Sequence, residues 1–126
     1  MPTNQDTGLT GENLAADYLL NKGYFIKARN YRAGRYELDI IAQESNTLII
    51  IEVKARHTST HGNPDEAVNR KKLKQLAKAT SAYMQEHKLE LEVRYDIVSV
   101  TLGNAEPLIE HFVDVYIPYD MDLEND

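Results

Sequence analysis

A chain of 126 residues, 42% apolar and 27% charged, is long enough to bury a core, and with no cysteine it excludes disulfides and thiolate zinc sites. Its formal charge of −6 is unevenly spread: residues 22–78 hold twelve of the fourteen Lys and Arg against six Asp and Glu. The acidic whole weighs against a nucleic-acid partner and the basic middle weakens that objection, although ordinary solvated surface accounts for both.

In chain order, Thr7 to Lys22 reads as a helix, with Leu14, Tyr18 and Ala15, Leu19 at helical spacing and Gly23 placed to cap its end. Tyr24 to Tyr31 reads as an edge strand. Tyr36 to Ala42 and Thr47 to Lys54 are β-branched runs joined by the polar Gln43 to Asn46, which predicts a hairpin. Ala55 to Asn63 reads as a polar loop. A second helix is expected from Asn63, Pro64 and Glu66, as cap, first turn and capping-box residue, to about His87, with Ala67, Leu73, Leu76, Ala77 and Tyr83 as its apolar stripe. Leu91 to Leu102 alternates as a strand, with Val93, Tyr95 and Ile97 on one face and Arg94 and Asp96 on the other. A last short strand is expected within Glu106 to Tyr119. The order α-β-β-β-α-β predicts an α/β fold, a mixed sheet flanked by helices, over residues 1–112 as one domain. Residues 113–126 form an acidic tail, with Asp114, Asp120, Asp122, Glu124 and Asp126 and no Lys or Arg.

The first residues, MPTNQDTGLTGEN, lack a signal-peptide pattern, and the apolar run Leu48 to Ile51 is too short to span a bilayer. The expectation is a cytoplasmic protein with no membrane partner.

Alternation puts Glu52 and Lys54 on one strand face and Glu37 and Asp39 on one face of the strand before it. A hairpin centred between Glu44 and Ser45 would set Glu37 opposite Glu52 and Asp39 opposite Ile50, leaving Asp39 and Glu52 as diagonal neighbours. An even-length turn is required, because a slip of one residue reverses the faces. Three carboxylates and a lysine on one face make a poor core, since like charges repel and burial without partners is costly. A hard divalent cation, Mg²⁺ or Mn²⁺, relieves that conflict and can activate water against a phosphodiester. The plainer alternative is an exposed strand in which Lys54 pairs with Glu52 or Glu37. The apolar run ending in Glu52 and Lys54 favours a functional rim, where open sheets bind ligands.

These residues also carry a family resemblance. Gly11-Glu12 with Ala15 and Tyr18-Leu19, Gly23-Tyr24, Arg29-Asn30-Tyr31-Arg32, Glu37-Leu38-Asp39-Ile40-Ile41-Ala42, Glu52-Val53-Lys54-Ala55-Arg56, and Gly62 with Pro64, Glu66, Ala67 and Lys71 span residues 8–112. Together they resemble the YraN-like uncharacterised protein family, placed in the PD-(D/E)xK endonuclease-like, resolvase-like superfamily. Tyr36 departs from that pattern, which has glycine before the Glu-x-Asp.

The resemblance implies a restriction-endonuclease-like sheet and a catalytic triad of Asp39, Glu52 and Lys54. It implies metal ligation by Asp39, Glu52 and the Val53 carbonyl, with Glu12 contributing from the first helix and Glu37 supporting. On its own pattern Glu12 is equally an ordinary solvated glutamate.

Arg29, Arg32 and Arg35, interleaved with Tyr31, suit stacking and phosphate contact, as does a curled edge strand. Arg56, Lys71 and Lys72 join them as nucleic-acid contacts, with Arg70, Lys74 and Lys78 on the same basic helix, whose commoner meaning is a solvated face. His57 and His61 sit four apart in the loop but lack further zinc ligands. The leading expectation is a Mg²⁺- or Mn²⁺-dependent endonuclease acting on DNA, branched or damaged. The alternatives are a non-catalytic nucleic-acid-binding module of the same fold and an interaction protein using the tail or a sheet edge. A two-fold homodimer would suit a junction substrate.

Overall fold

The computed structural model describes residues 3–58, 70–103 and 105–115; the side chains of Asn4, Arg70, Lys71 and Leu73 lie outside that description. The expected helix start at Asn63, Pro64 and Glu66, Ala67 of its stripe, His61 and the tail beyond Val115 also fall outside it.

The first helix, α1 (Asn4–Asn21), begins earlier than its apolar spacing suggests, because Thr3 caps it. Thr3 Oγ1 accepts from Asp6 N–H at 3.0 Å and Asp6 Oδ2 accepts from Thr3 N–H at 3.3 Å, a reciprocal capping box. At the other end Gly23 takes φ +94°, so its N–H reaches Leu20 O and the Tyr24 N–H reaches Leu19 O, both at 3.0 Å. That pair of bonds is a Schellman motif, and it turns the chain directly into the sheet.

Five strands follow: β1 (Phe25–Ala33), β2 (Tyr36–Glu44), β3 (Thr47–His57), β4 (Glu92–Leu102) and β5 (Leu108–Phe112), with α2 (Arg70–Glu86) between β3 and β4. They form one mixed sheet in the order β1-β2-β3-β4-β5, parallel only between β3 and β4. The parallel pair requires the crossover that carries α2. Two helices flank this sheet, an arrangement consistent with a restriction-endonuclease-like fold.

Each sheet face has its own apolar cluster. Ala15, Ala16 and Leu19 of α1 pack on Ile40, Ala42, Ile49, Ile51, Val98 and Val100. On the other face Leu76, Ala79 and Tyr83 of α2 pack on Leu38, Ile41, Leu48 and Ile50. Alternation along β3 sends Leu48 and Ile50 to α2, Ile49 and Ile51 to α1, which is why that run is apolar throughout.

Two expectations need correction. The β2–β3 hairpin turns one residue later, pairing Glu44 with Thr47 and Ile41 with Ile50, so Asp39 is not opposite Ile50. Each pairing moves by two residues, which preserves the facing of the side chains. Ala55 to His57 continue β3 instead of starting a loop, held by parallel pairing to Val100–Leu102. The expected alternation of β4 holds: Arg94 and Asp96 share the face that continues into Val98 and Val100 beneath α1, so that face is a covered one.

Candidate functional site

The β2–β3 ladder ends at Ile40↔Ile51, and the acidic residues stand immediately beyond it. In place of a continued ladder, Val53 N–H donates to Asp39 Oδ2 at 2.9 Å. Strand alternation is also broken here, since Leu38 joins the α2-side core and Ile40 the α1-side core although they are two residues apart. The neighbouring strand is irregular at the same level. Between the pairs Arg29↔Ile40 and Tyr31↔Leu38 sits Asn30, in the left-handed region at φ 54°. The convergence of charged groups therefore comes from an opened seam in the sheet, and not from a single regular face as strict alternation suggests.

On the α1 side the seam opens into a cleft of about 570 Å³ lined by Glu12, Glu37, Asp39, Val53, Lys54 and Asn30, with Gln5, Gly8 and Leu9 of α1. On the α2 side Glu52 Oε1 receives two ammonium groups, Lys54 Nζ at 3.3 Å and Lys72 Nζ at 2.7 Å. All three side chains are largely covered, at 14%, 21% and 23% exposure, so these contacts are less screened than ordinary surface pairs.

Burial raises the Asp39 carboxyl to about 7, and repulsion from Glu52 adds to it; the Val53 N–H opposes the rise, while Glu12 and Glu37 add to it. The same two forces, burial and then the charges of Glu52 and Asp39, push the Tyr36 hydroxyl well above its ordinary range. The lysines diverge. Burial and the neighbouring Lys72 lower Lys54, whereas Lys72, despite its own burial, is raised by its bond to Glu52. The pattern describes a pocket with surplus negative charge, countered by ammonium groups from β3 and α2.

A hard divalent ion would find oxygen donors here in Asp39, Glu52 and the Val53 carbonyl. Yet among the described residues no three His, Asp or Glu side chains are gathered closely enough to hold an ion as they stand. The donor chemistry fits, but Glu52 already spends Oε1 on Lys72 and Lys54.

Glu12 is not an isolated solvated residue: it lines the cleft and pairs with Arg29 at 3.2 Å. Arg29 spends a second donor on Asn13 Oδ1 at 2.7 Å, and Arg32 pairs loosely with Glu37 at 3.4 Å. Arg35 and Lys78 line a separate cavity with Tyr31 and Tyr36. Lys72, expected on an outward basic face, is instead turned onto Glu52. Arg56 lies near the end of β3, and Lys71 is in the first turn of α2. His57 Nε2 is 3.0 Å from Thr7 Oγ1, a contact tying β3 to α1.

One polar cluster was not foreseen. Asp96, 1% exposed, accepts two bonds from Arg94 at 3.0 Å each, one from His111 Nε2 at 2.8 Å and one from the Asp114 N–H at 2.9 Å. Arg94 reaches on to Tyr24 Oη at 2.9 Å, and Tyr18 Oη lies 3.3 Å from His111 Nδ1. The signal available in the sequence was Arg94-x-Asp96 in phase with Val98 and Val100.

A family model described as Uncharacterised protein family UPF0102 matches residues 11–100. The chain belongs to that family. Among its UPF0102 relatives, a protein of Phocaeicola vulgatus is 41% identical over 94% of this chain and 98% of its own length. One from Christiangramia forsetii is 43% identical over 92% and 98%, and one from Syntrophomonas wolfei 34% identical over 90% and 99%. The UPF0102 match contains Glu12, Asp39, Glu52, Lys54 and Lys72, so the whole seam lies inside the family's region. Among the described residues of this UPF0102 chain, no helix is long and apolar enough to cross a membrane.

Proposed function

We propose that the chain is a metal-dependent nuclease that hydrolyses phosphodiester bonds in DNA, with branched or damaged DNA as its substrate class. The observation that carries this reading is Asp39: a half-buried carboxyl raised to about 7 beside Glu52, with a lysine ammonium 3.3 Å from that second acid and an open cleft in front. Such an arrangement costs folding energy and is commonest where chemistry uses it.

Asp39, Glu52 and the Val53 carbonyl would hold Mg²⁺ or Mn²⁺, with Glu12 and Glu37 adding negative potential from the cleft wall. The bound ion would supply charge to the phosphate and lower the pKa of a water. Val53 N–H orients the Asp39 carboxylate, leaving its other oxygen for the cleft. Lys54, steadied by Glu52, presents a donor where negative charge develops on phosphoryl oxygens. Lys72 neutralises Glu52 until substrate and ion arrive.

A non-catalytic nucleic-acid-binding module is the second reading, favoured by the Lys72–Glu52 contact of 2.7 Å, which satisfies the acid without any ion. The test is purified protein against linear, nicked, flapped and four-way DNA with Mg²⁺ or Mn²⁺, beside Glu52→Ala. Cleavage lost in the variant establishes the enzyme. Binding with no cleavage of any substrate establishes the module.

A further inference from the structure

A cavity of about 450 Å³ lies between the β1–β2 turn and α2, outside the acidic seam. It is lined by two aromatics, Tyr31 and Tyr36, by small apolar residues of the turn and of α2, and by Arg35, Lys78 and Gln75. Tyr31 is fixed before any ligand arrives: its ring meets Tyr83 edge-on at 5.0 Å and its hydroxyl donates to Glu86 at 3.2 Å. Arg35 and Lys78 have no acidic partner among the described residues, unlike Arg29, Arg32, Lys54 and Lys72. Tyr36 joins the two places, for its hydroxyl feels the charges of Glu52 and Asp39 while its side chain lines the cavity.

Two aromatic side chains, one of them held in place, small apolar neighbours, an amide and two cations without an acidic partner among the described residues match the parts of one nucleotide: a base to stack, an edge to bond and a phosphate to neutralise. A protein that read only duplex backbone would have no use for the recess, since paired bases are stacked on each other. We propose that this cavity receives one unpaired nucleotide of a nucleic-acid strand, its base against Tyr31 and Tyr36 and its phosphate at Arg35 and Lys78. For the placing of the neighbouring phosphate at Asp39, Glu52 and Lys54 the inference rests on the nuclease reading. It narrows that reading to substrates with a single-stranded or splayed segment beside the bond attacked. A free mononucleotide offers the same chemistry, but Tyr36, which lines the cavity within electrostatic reach of Glu52 and Asp39, favours a strand that passes from one place to the other.

Fluorescence anisotropy tests this with the full chain in EDTA, where no cleavage intervenes. The probes are a labelled 12-nucleotide single strand and the blunt duplex of the same sequence, with unlabelled mononucleotide as competitor. The single strand should bind at least about tenfold tighter than the duplex, and Tyr36→Leu should weaken it about 10- to 100-fold, the range of one lost stacked base. Lys78→Gln, an exposed change that spares folding, should weaken it several-fold and flatten its salt dependence. Efficient displacement by millimolar mononucleotide assigns the cavity to a free ligand and overturns the strand proposal. Equal affinity for strand and duplex, no binding of either, or variants indistinguishable from the parent would each overturn it too. The nuclease reading fails separately, when Mn²⁺ yields no product from a strand that the cavity variants show to be bound.

Discussion

Asp39 holds two opposed roles: its carboxylate closes the broken β2–β3 ladder by accepting from Val53, and its charge is disfavoured by burial and by Glu52. A carboxyl at about 3.8 in the unfolded chain and about 7 in the folded one binds an extra proton on folding between those values. The stability of the metal-free protein should therefore fall as pH rises from about 4 to 7 and stay low above that. Asp39→Asn keeps an acceptor for Val53 and removes the charge, so it should gain on the order of 1–3 kcal/mol at pH 8 and little at pH 4. Urea unfolding at both values in a chelator measures this, and parallel pH profiles for the two proteins would contradict it. Lys72→Met removes the ammonium from Glu52 and should tighten Mn²⁺ binding about tenfold by calorimetric titration. An unchanged or weakened affinity would mean that Lys72 does not compete with the ion. Asp39, Glu52 and Lys54 were legible because an apolar run ending in acid and lysine marks a strand's functional end. Lys72 was not, because its turn towards Glu52 depends on how α2 lies across the sheet, which no local pattern encodes.

At the level of elements, local pattern fixes some features of this fold and leaves others to the backbone. The hairpin's parity was legible from two β-branched runs, and its centre was one residue off because Ser45 takes φ 52° in a turn that the polar stretch does not locate. The seam was invisible for a similar reason: Asn30 at φ 54° is a backbone fact, and asparagine merely permits it. The first helix extends beyond its apolar spacing because Thr3 and Asp6 cap it ahead of that pattern. Thr3→Ala should cost about 1 kcal/mol of unfolding free energy by denaturant titration, with loss confined to the cap. Gly11 sits where α1 crosses β3, and a Cβ there would collide with Ala55 Cβ. Gly11→Ala should destabilise by about 1–3 kcal/mol despite its better helix propensity, and a stabilised variant would show that the helix can lift without loss.

Across the whole molecule, charge is organised at two neighbouring places in the sheet to opposite effect. Around Asp96 every acidic oxygen is met, by Arg94, His111 and the Asp114 N–H, so the group is a clasp joining β4, β5 and the chain after it. Asp96→Ala leaves Arg94 and His111 facing a void and should cost about 3–5 kcal/mol by thermal or urea unfolding, with the seam's ligand affinities unchanged in the folded fraction. The fold class was legible in the order of elements. This clasp was not, because alternation tells which residues share a face but not which face is covered.

The parallel pairing at the sheet's centre has a bearing on synthesis. Every β3 residue finds its β4 partner 45 positions later, from Thr47↔Glu92 to His57↔Leu102. At about 5–20 residues per second, a ribosome needs several seconds to deliver that partner. During that wait Leu48-Ile49-Ile50-Ile51 presents a bare backbone edge with the composition of an aggregating stretch, flanked by β2 and α1 and, late in the wait, by α2. Slower growth at low temperature, or early capture by a chaperone, should decide the yield of this chain more than its final stability does.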